Sequence, residues 1–428
     1  MRSIRRERID RRSLVAVAAA MLCFVASAQQ TTSPMPGAAS PAEAAQAAPA
    51  TPATPAAPKA NALAFARAAR LSRGVNLSNW YSQTPDYSAA HLATYIDAAD
   101  FKLIRSLGFD SVRLPINPEP LLATAPVTPP PPIVDGDAPL SRTATVALRP
   151  EAMARLDATV REITDAGLVV VLDIQPEEMW MRQAFTDEGA PGFLYFWRTF
   201  ARHYAATDPE KVYFEVLNEP HNISDGRWAI LQERAVAVIR KEAPAHTIIV
   251  TGAEGGLTSL IPLADPNVIY TFHEYNPVTF THQGAPWMGE GLSSLREVPY
   301  PSTAENIAAA LDATKDEAGK DMIQHYGIDH WNRIRMQQTI EPFVDWGRQF
   351  QVPVWCGEFG AIRDFTPTDD RARWISDTRQ TLEAGHIGWA MWDYRESFGF
   401  VRKEAGVTTV DESVMQALGL KAAGPAGK

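Results

Sequence analysis

The chain has 428 residues, 46% of them hydrophobic and 21% charged, which excludes a wholly disordered, collagen-like or polytopic membrane protein. Lys and Arg number 40 against 50 Asp and Glu, a net charge of -10, so a phosphate backbone is not an expected partner. The 2 cysteines, Cys23 and Cys356, are too few for a disulfide framework or a Cys-based zinc site.

The N-terminus reads as an export signal over residues 1–28. Arg2, Arg5, Arg6, Arg8, Arg11 and Arg12 precede the apolar run Leu14 to Val25, and Ala26-Ser27-Ala28 offers the small residues that a signal peptidase requires. That run falls well short of the ~20 apolar residues needed to span a bilayer, so cleavage is expected rather than anchoring. The expected compartment is the periplasm or the extracellular space, with no membrane attachment after cleavage. Arg11-Arg12 also resembles a twin-arginine signal. Residues 29–61 are dominated by Ala, Pro and Thr without a periodic apolar face and are expected to form a disordered spacer. Cleavage removes Cys23, and Cys356 then reads as a small buried apolar residue.

From residue 62 to 428 a single catalytic domain is expected, because short apolar or β-branched runs alternate with amphipathic segments. Strands are predicted at Arg73 to Leu77, Ser111 to Leu114, Leu168 to Leu172, Val212 to Leu217, Thr247 to Thr251, Val268 to Phe272, Val352 to Trp355 and Ile387 to Met391. Helices are predicted over 98–107, 151–166, 193–205, 227–242, 330–350 and 370–384, with a closing one at 411–419 and only a short one after strand five. Strand-helix alternation implies parallel strands covered by helices, and eight such units predict an α/β fold, a (β/α)8 TIM barrel with long βα loops. An open doubly wound sheet would show a Gly-rich phosphate turn after strand one, and Arg73-Gly74-Val75-Asn76-Leu77-Ser78 is not one. The longest connections, 118–149 and 276–328, follow strands and belong to the barrel's C-terminal face.

Two glutamates stand at predicted strand ends. Strand four runs into Asn218-Glu219-Pro220-His221, and Pro220 cannot continue a central ladder. Strand seven runs into Cys356-Gly357-Glu358-Phe359-Gly360, where the glycines are expected to stop the strand. Two carboxyls across a short gap are the minimum equipment for glycoside hydrolysis, one protonating the leaving oxygen while the other attacks or activates water. A single rim Glu is more often a surface ion pair, so the pairing carries the argument. Glu215 shares the parity of Glu219 but lies about 13 Å deeper, and is expected to pair with an Arg inside the barrel. Arg113, His273, Tyr275 and Trp392 lie at other strand ends, with Trp392 a candidate floor for a sugar and Trp80, Trp180 and Trp287 candidate walls of outer subsites.

Val112-Arg113-Leu114-Pro115, Leu217-Asn218-Glu219-Pro220, His273-Glu274-Tyr275, Gly357-Glu358-Phe359-Gly360 and Trp389 to Trp392, in this order, resemble glycoside hydrolase family 5, the cellulase family. The resemblance covers residues 70 to 415 and implies a retaining mechanism with Glu219 as acid/base and Glu358 as nucleophile, without cofactor or metal. It further implies that Asn218 holds the sugar's 2-hydroxyl, Arg113 and Tyr275 position Glu358, His273 lines the site and Trp392 forms the platform. Leu172-Asp173-Ile174-Gln175 departs from the family, which places a His where Gln175 stands. Gln175 can hydrogen-bond a sugar hydroxyl but cannot carry a proton, so an altered substrate contact or pH response is expected.

The expected activity is that of an exported, monomeric endo-β-1,4-glucanase acting on a β-linked polysaccharide or oligosaccharide. A β-mannanase or an exo-β-1,3-glucanase could use the same catalytic set. Two readings of other classes stand beside it: a non-catalytic glycan-binding barrel, and a metal-dependent hydrolase using Asp173, Glu219, His273 and Glu358 as ligands.

Overall fold

A computed structural model describes residues 61–123, 146–257, 260–404 and 406–421. The signal and spacer expected before residue 61, and most of the insertion at 118–149, lie outside the described residues.

Eight parallel strands close into a barrel in sequence order: β1 (Arg73–Asn76), β2 (Ser111–Ile116), β3 (Val169–Ile174), β4 (Val212–Glu215), β5 (Ile248–Thr251), β6 (Val268–Glu274), β7 (Val354–Phe359) and β8 (Gly388–Met391), the last pairing with β1. The predicted helices are present, including Ala98–Leu107, Pro150–Asp165, Asp225–Glu242 and Thr368–Ala384, and only the short turn Ala253–Gly255 follows β5. The first of these shows how local chemistry sets an element. Asp97 caps its N-terminus in a capping box with Asp100, and Gly108, at φ 106°, ends it in the left-handed region.

Strand alternation sorts the side chains. Outward residues such as Val112, Leu172, Phe214 and Val250 join the apolar layer beneath the helices. Inward residues near the N-terminal ends, Val169, Val171, Tyr213, Ile249, Ile269, Trp355 and Ala390, form a separate cluster with Leu71. Leu71 ends a short segment after the helix Ala62–Ala68 and plugs the barrel from below, where its carbonyl accepts from Trp355 Nε1 at 3.1 Å.

Strand seven differs from its expected form. It runs from Val354 through Phe359, so Glu358 lies inside the strand, and the ladder shifts register between Cys356 and Phe359. Gly357 does not stop it; the glycine allows close approach to β6, because a Cβ there would sit 2.6 Å from Thr271 Oγ1. Strand four ends at Glu215, two residues short of the expected Leu217. The insertion at 276–328 folds into Val278–Thr281, Gly289–Ser294, Ala308–Ala313 and Glu317–Ile328. An antiparallel hairpin not expected from the sequence, β9 (Val401–Glu404) and β10 (Val407–Val410), precedes the closing helix Glu412–Ala417.

Candidate active site

Arg113, inward-facing on β2 and fully buried, organises the mouth of the barrel. Its Nε and Nη2 grip both oxygens of Glu215 at 2.7 and 2.8 Å, the interior pairing expected for that residue. Nη2 also reaches Asn218 Oδ1 at 2.8 Å, and Nη1 donates to Asn76 Oδ1 at 3.1 Å and to Glu358 Oε1 at 2.6 Å. Asp173 Oδ2 lies 3.0 Å from Nη2 as a further ion-pair partner. A guanidinium has five N–H donors in a rigid fork, and here each has an acceptor.

Glu358 is clamped from two sides. Tyr275 donates its hydroxyl to Oε2 at 2.7 Å, opposite the Arg113 contact. Asn76 steadies the strand beneath by donating Nδ2 to the Gly357 carbonyl at 2.9 Å. Sequence reading passed over Asn76, although its parity with Gly74 on the first strand points it inward. Glu219 follows β4 in left-handed backbone, φ 36°, and its Oε1 lies 2.7 Å from His273 Nδ1. The same His273 nitrogen is 3.5 Å from Glu358 Oε2, so the ring stands between the carboxyls. One oxygen of each carboxyl and a His273 nitrogen lie within 4.8 Å of one another. Glu358 is 6% exposed along its side chain and Glu219 33%, placing Glu358 at the base of the gap and Glu219 at its edge.

The charges set proton positions. Burial opposes the Arg113 cation, but Asp173, Glu215 and Glu358 hold its pKa well above the ordinary arginine range. Burial pushes Glu358 above the usual carboxyl range and the charge on Glu219 adds to this, while His273, Arg113 and Tyr275 pull it down. Burial also acts upward on Glu219, but the charge and hydrogen bond of His273 hold that carboxyl below its usual range. Against its own burial, His273 is raised by Glu358 and Glu219. Both Glu358 oxygens already accept hydrogen bonds from Arg113 and Tyr275, an arrangement that selects its ionised form. The site's mobile proton therefore belongs to the His273–Glu219 pair, and its position depends on the charge of the whole trio.

Trp392, 9% exposed, packs with Tyr275, Ala285, Ile362 and Phe398 beside the gap. Gln175 stands just past β3, its backbone N–H bonded to Ile116 and its side-chain Oε1 buried without a hydrogen-bond partner among the described residues. Trp287 is 48% exposed, and Trp180 is half-buried, edge-on to Phe193 and Phe196. Trp80 cannot line a subsite: it is wholly buried, donates Nε1 to the Leu92 carbonyl and packs against Tyr81 and Phe101. Expected as an aromatic wall of an outer subsite, it is instead turned into the helix layer.

A parallel eight-stranded barrel with two carboxyls facing each other at its C-terminal mouth carries the equipment of a glycoside hydrolase. Residues 72–397 match the cellulase family, glycosyl hydrolase family 5, and the chain belongs to that family. It is similar to endoglucanase C of Acetivibrio thermocellus, 26% identical over 334 residues covering 76% of this chain and 91% of the relative. Cellodextrinase A of Ruminococcus flavefaciens is 24% identical over 71% of this chain and 79% of its own length. The Thermotoga maritima Cel5A structure with cellobiose superposes with a TM-score of 0.64 and 26% identity, covering 83% of this chain and 99% of that one. The same enzyme has also been solved with a mannotriose substrate.

Proposed function

We propose that the protein is an exported, retaining endo-β-1,4-glucanase in which Glu358 is the nucleophile and Glu219 the acid/base. The observation that carries this reading is the gap of no more than 4.8 Å between the nearest Glu219 and Glu358 ligand oxygens. Retaining glycosidases hold their carboxyls about 5–5.5 Å apart, whereas inverting ones leave about 6.5–9.5 Å for a water. In the first step a Glu358 oxygen attacks the anomeric carbon, the bond to the leaving oxygen breaks, and that oxygen takes the proton of Glu219. In the second, water attacks the glycosyl-enzyme, its proton returns to Glu219, and the Glu358 carboxylate is released. His273 Nδ1, 2.7 Å from Glu219 Oε1, is one hydrogen bond from the oxygen that needs a proton at the start.

Asn218 gives Oδ1 to Arg113, which leaves its Nδ2 donor for a sugar hydroxyl, and Trp392, packed in one cluster with the Tyr275 that bonds Glu358, is the residue assigned as the sugar platform. The endoglucanase and cellodextrinase relatives support a β-1,4-glucan, and the cellobiose complex of Cel5A supports the same sugar. The mannotriose complex of that enzyme keeps mannan as the competing substrate. Among the described residues no helix is long and apolar enough to cross a membrane. Reducing-sugar release from carboxymethyl cellulose, mannan and laminarin tests the assignment, with the fastest release expected from carboxymethyl cellulose. Binding without release on all three would replace hydrolysis with glycan capture. Product NMR is expected to show a β-configured first product; an α product would refute retention.

A second reading has one observation behind it. Glu219, His273 and Glu358 have the composition and proximity of a metal site. Against it, Glu358 already bonds Arg113 and Tyr275, and His273 bonds Glu219. Hydrolysis is expected to survive a chelator, and loss restored by one divalent ion would favour the metal reading.

A further inference from the structure

Glu219 occupies backbone that its own sequence disfavours. A residue before proline is normally confined to extended φ near −120°, yet Glu219, followed by Pro220, has φ 36°. Such conformations persist only where surrounding contacts over-determine them, and they gather at functional sites. Two contacts hold this one. The Pro220 carbonyl accepts the Glu254 N–H at 2.7 Å, and the Glu219 carbonyl lies 2.9 Å from His221 Nδ1.

The other His221 nitrogen, Nε2, lies 2.5 Å from Glu178 Oε2. Glu178 is held in turn by Arg182 Nε at 2.5 Å, one turn along the helix Glu178–Ala184, and by Asn222 Nδ2 at 3.4 Å. Both partners of the His221 ring are acceptors, one a carbonyl and the other a carboxylate that already accepts from Arg182. Both ring nitrogens therefore donate, and the ring is an imidazolium. Burial works against that cation, and Glu178 with the Glu219 backbone reverses the effect, raising His221 above the ordinary histidine range. A carboxylate thus orients a histidine, as in a catalytic triad, but the histidine acts on a peptide carbonyl.

We propose that His221, held as an imidazolium by Glu178, is a positioning residue for the proton donor. It fixes the Glu219 peptide in its left-handed turn and so aims the carboxyl at the leaving oxygen. The inference rests on the reading of Glu219 as acid/base and adds the device that aims it. Nothing in the sequence near Glu178 signals this, because the helix that carries it follows a different strand.

A role in aiming a proton donor has a signature that general loop support lacks. Misplacing the donor slows substrates whose leaving group needs a proton and spares those that leave unaided. The test uses the full chain and aryl β-cellobiosides graded from phenyl to dinitrophenyl leaving groups. His221→Ala is expected to lower kcat/KM on the order of 10- to 100-fold for the phenyl substrate and less than about threefold for the dinitrophenyl one. Glu178→Gln, at a half-exposed side chain that does not threaten folding, is expected to shift the series in the same direction by a smaller factor. If His221→Ala does not fold, Glu178→Gln alone decides. A uniform loss across the series, or no loss, overturns the proposal. Glu219→Gln run beside them separates the two readings. A steep series there with a flat one for His221→Ala and Glu178→Gln rejects only the aiming device, whereas a flat Glu219→Gln series rejects Glu219 as donor and the inference with it.

Discussion

Below the level of Arg113 the barrel is filled by Leu71, Val169, Val171, Tyr213, Ile249, Ile269, Trp355 and Ala390; above it by Asn76, Arg113, Asp173, Glu215, His273 and Glu358. The same strands line both halves, and often two positions on the same strand separate an apolar residue from a charged one, as Val171 from Asp173 or Tyr213 from Glu215. The lower half holds shape by packing. The upper half holds shape by a single guanidinium whose partners, Asn76, Asp173, Glu215, Asn218 and Glu358, are all acceptors. Removing an apolar side chain leaves a void, while removing a charged one leaves its partners buried and unpaired. A change in the lower half is therefore expected to cost stability alone, whereas loss of Arg113 in the upper half is expected to cost stability and activity together.

Four changes test that separation. Glu358→Gln is expected to lower kcat on the order of 10⁴-fold or more, the scale of losing a covalent nucleophile, and to abolish trapping of a glycosyl-enzyme. Its thermal midpoint should move little, because the amide oxygen can still accept from Arg113 while the Tyr275 hydroxyl turns to accept from the amide N–H; a collapse in midpoint would mean that the two functions are not separable at the mouth. Arg113→Met should cost about 3–5 kcal/mol in urea unfolding and also erase activity, since Glu215, Asp173 and Glu358 lose their common counter-charge. Leu71→Ala should cost about 2–4 kcal/mol yet leave kcat/KM within about twofold, and an equal fall in activity would show that the floor is coupled to the mouth.

The smallest effect is one of pH. His273 has a folded pKa raised above its unfolded value of 6.5. Its contribution to stability is whole below the unfolded value and is lost as pH climbs through the raised one. A stability profile should therefore decline on that alkaline side, and His273→Gln should flatten the decline. Leu71→Ala should shift the curve without changing its form, because Tyr213, the ionisable group of the lower cluster, is pushed by burial up to about 12.

The alternation of apolar runs and amphipathic segments was enough to read eight strands closing into a barrel, and Pro220 marked Glu219 as lying beyond its strand. Parity placed Glu215 deeper and gave it an arginine, as found at 2.7 Å. What escaped was local. A glycine looks the same in sequence whether it ends a strand or lets two strands approach, so Gly357 was read as a stop when Thr271 is the reason for it. An aromatic ring suits a sugar subsite and a packed helix layer equally well in sequence, and the Trp80 indole faces the Leu92 carbonyl in the helix layer. The clamp on Glu219 joins residues 178 and 221 across two different connections, a proximity set by the parallel pairing of β3 with β4. The β9–β10 hairpin left no signal in the main alternation because it lies outside the barrel's repeat.

Residue 61 enters the described domain at the underside of the barrel. Asn61 donates Nδ2 to the Gln351 carbonyl at 3.0 Å, just ahead of β7, and the chain then passes through Leu71 into β1. The described chain is therefore entered at the pole opposite the open cleft. With entry on that side, a long polymer lying across the mouth would reach Glu219 and Glu358 without meeting the first residues of the domain.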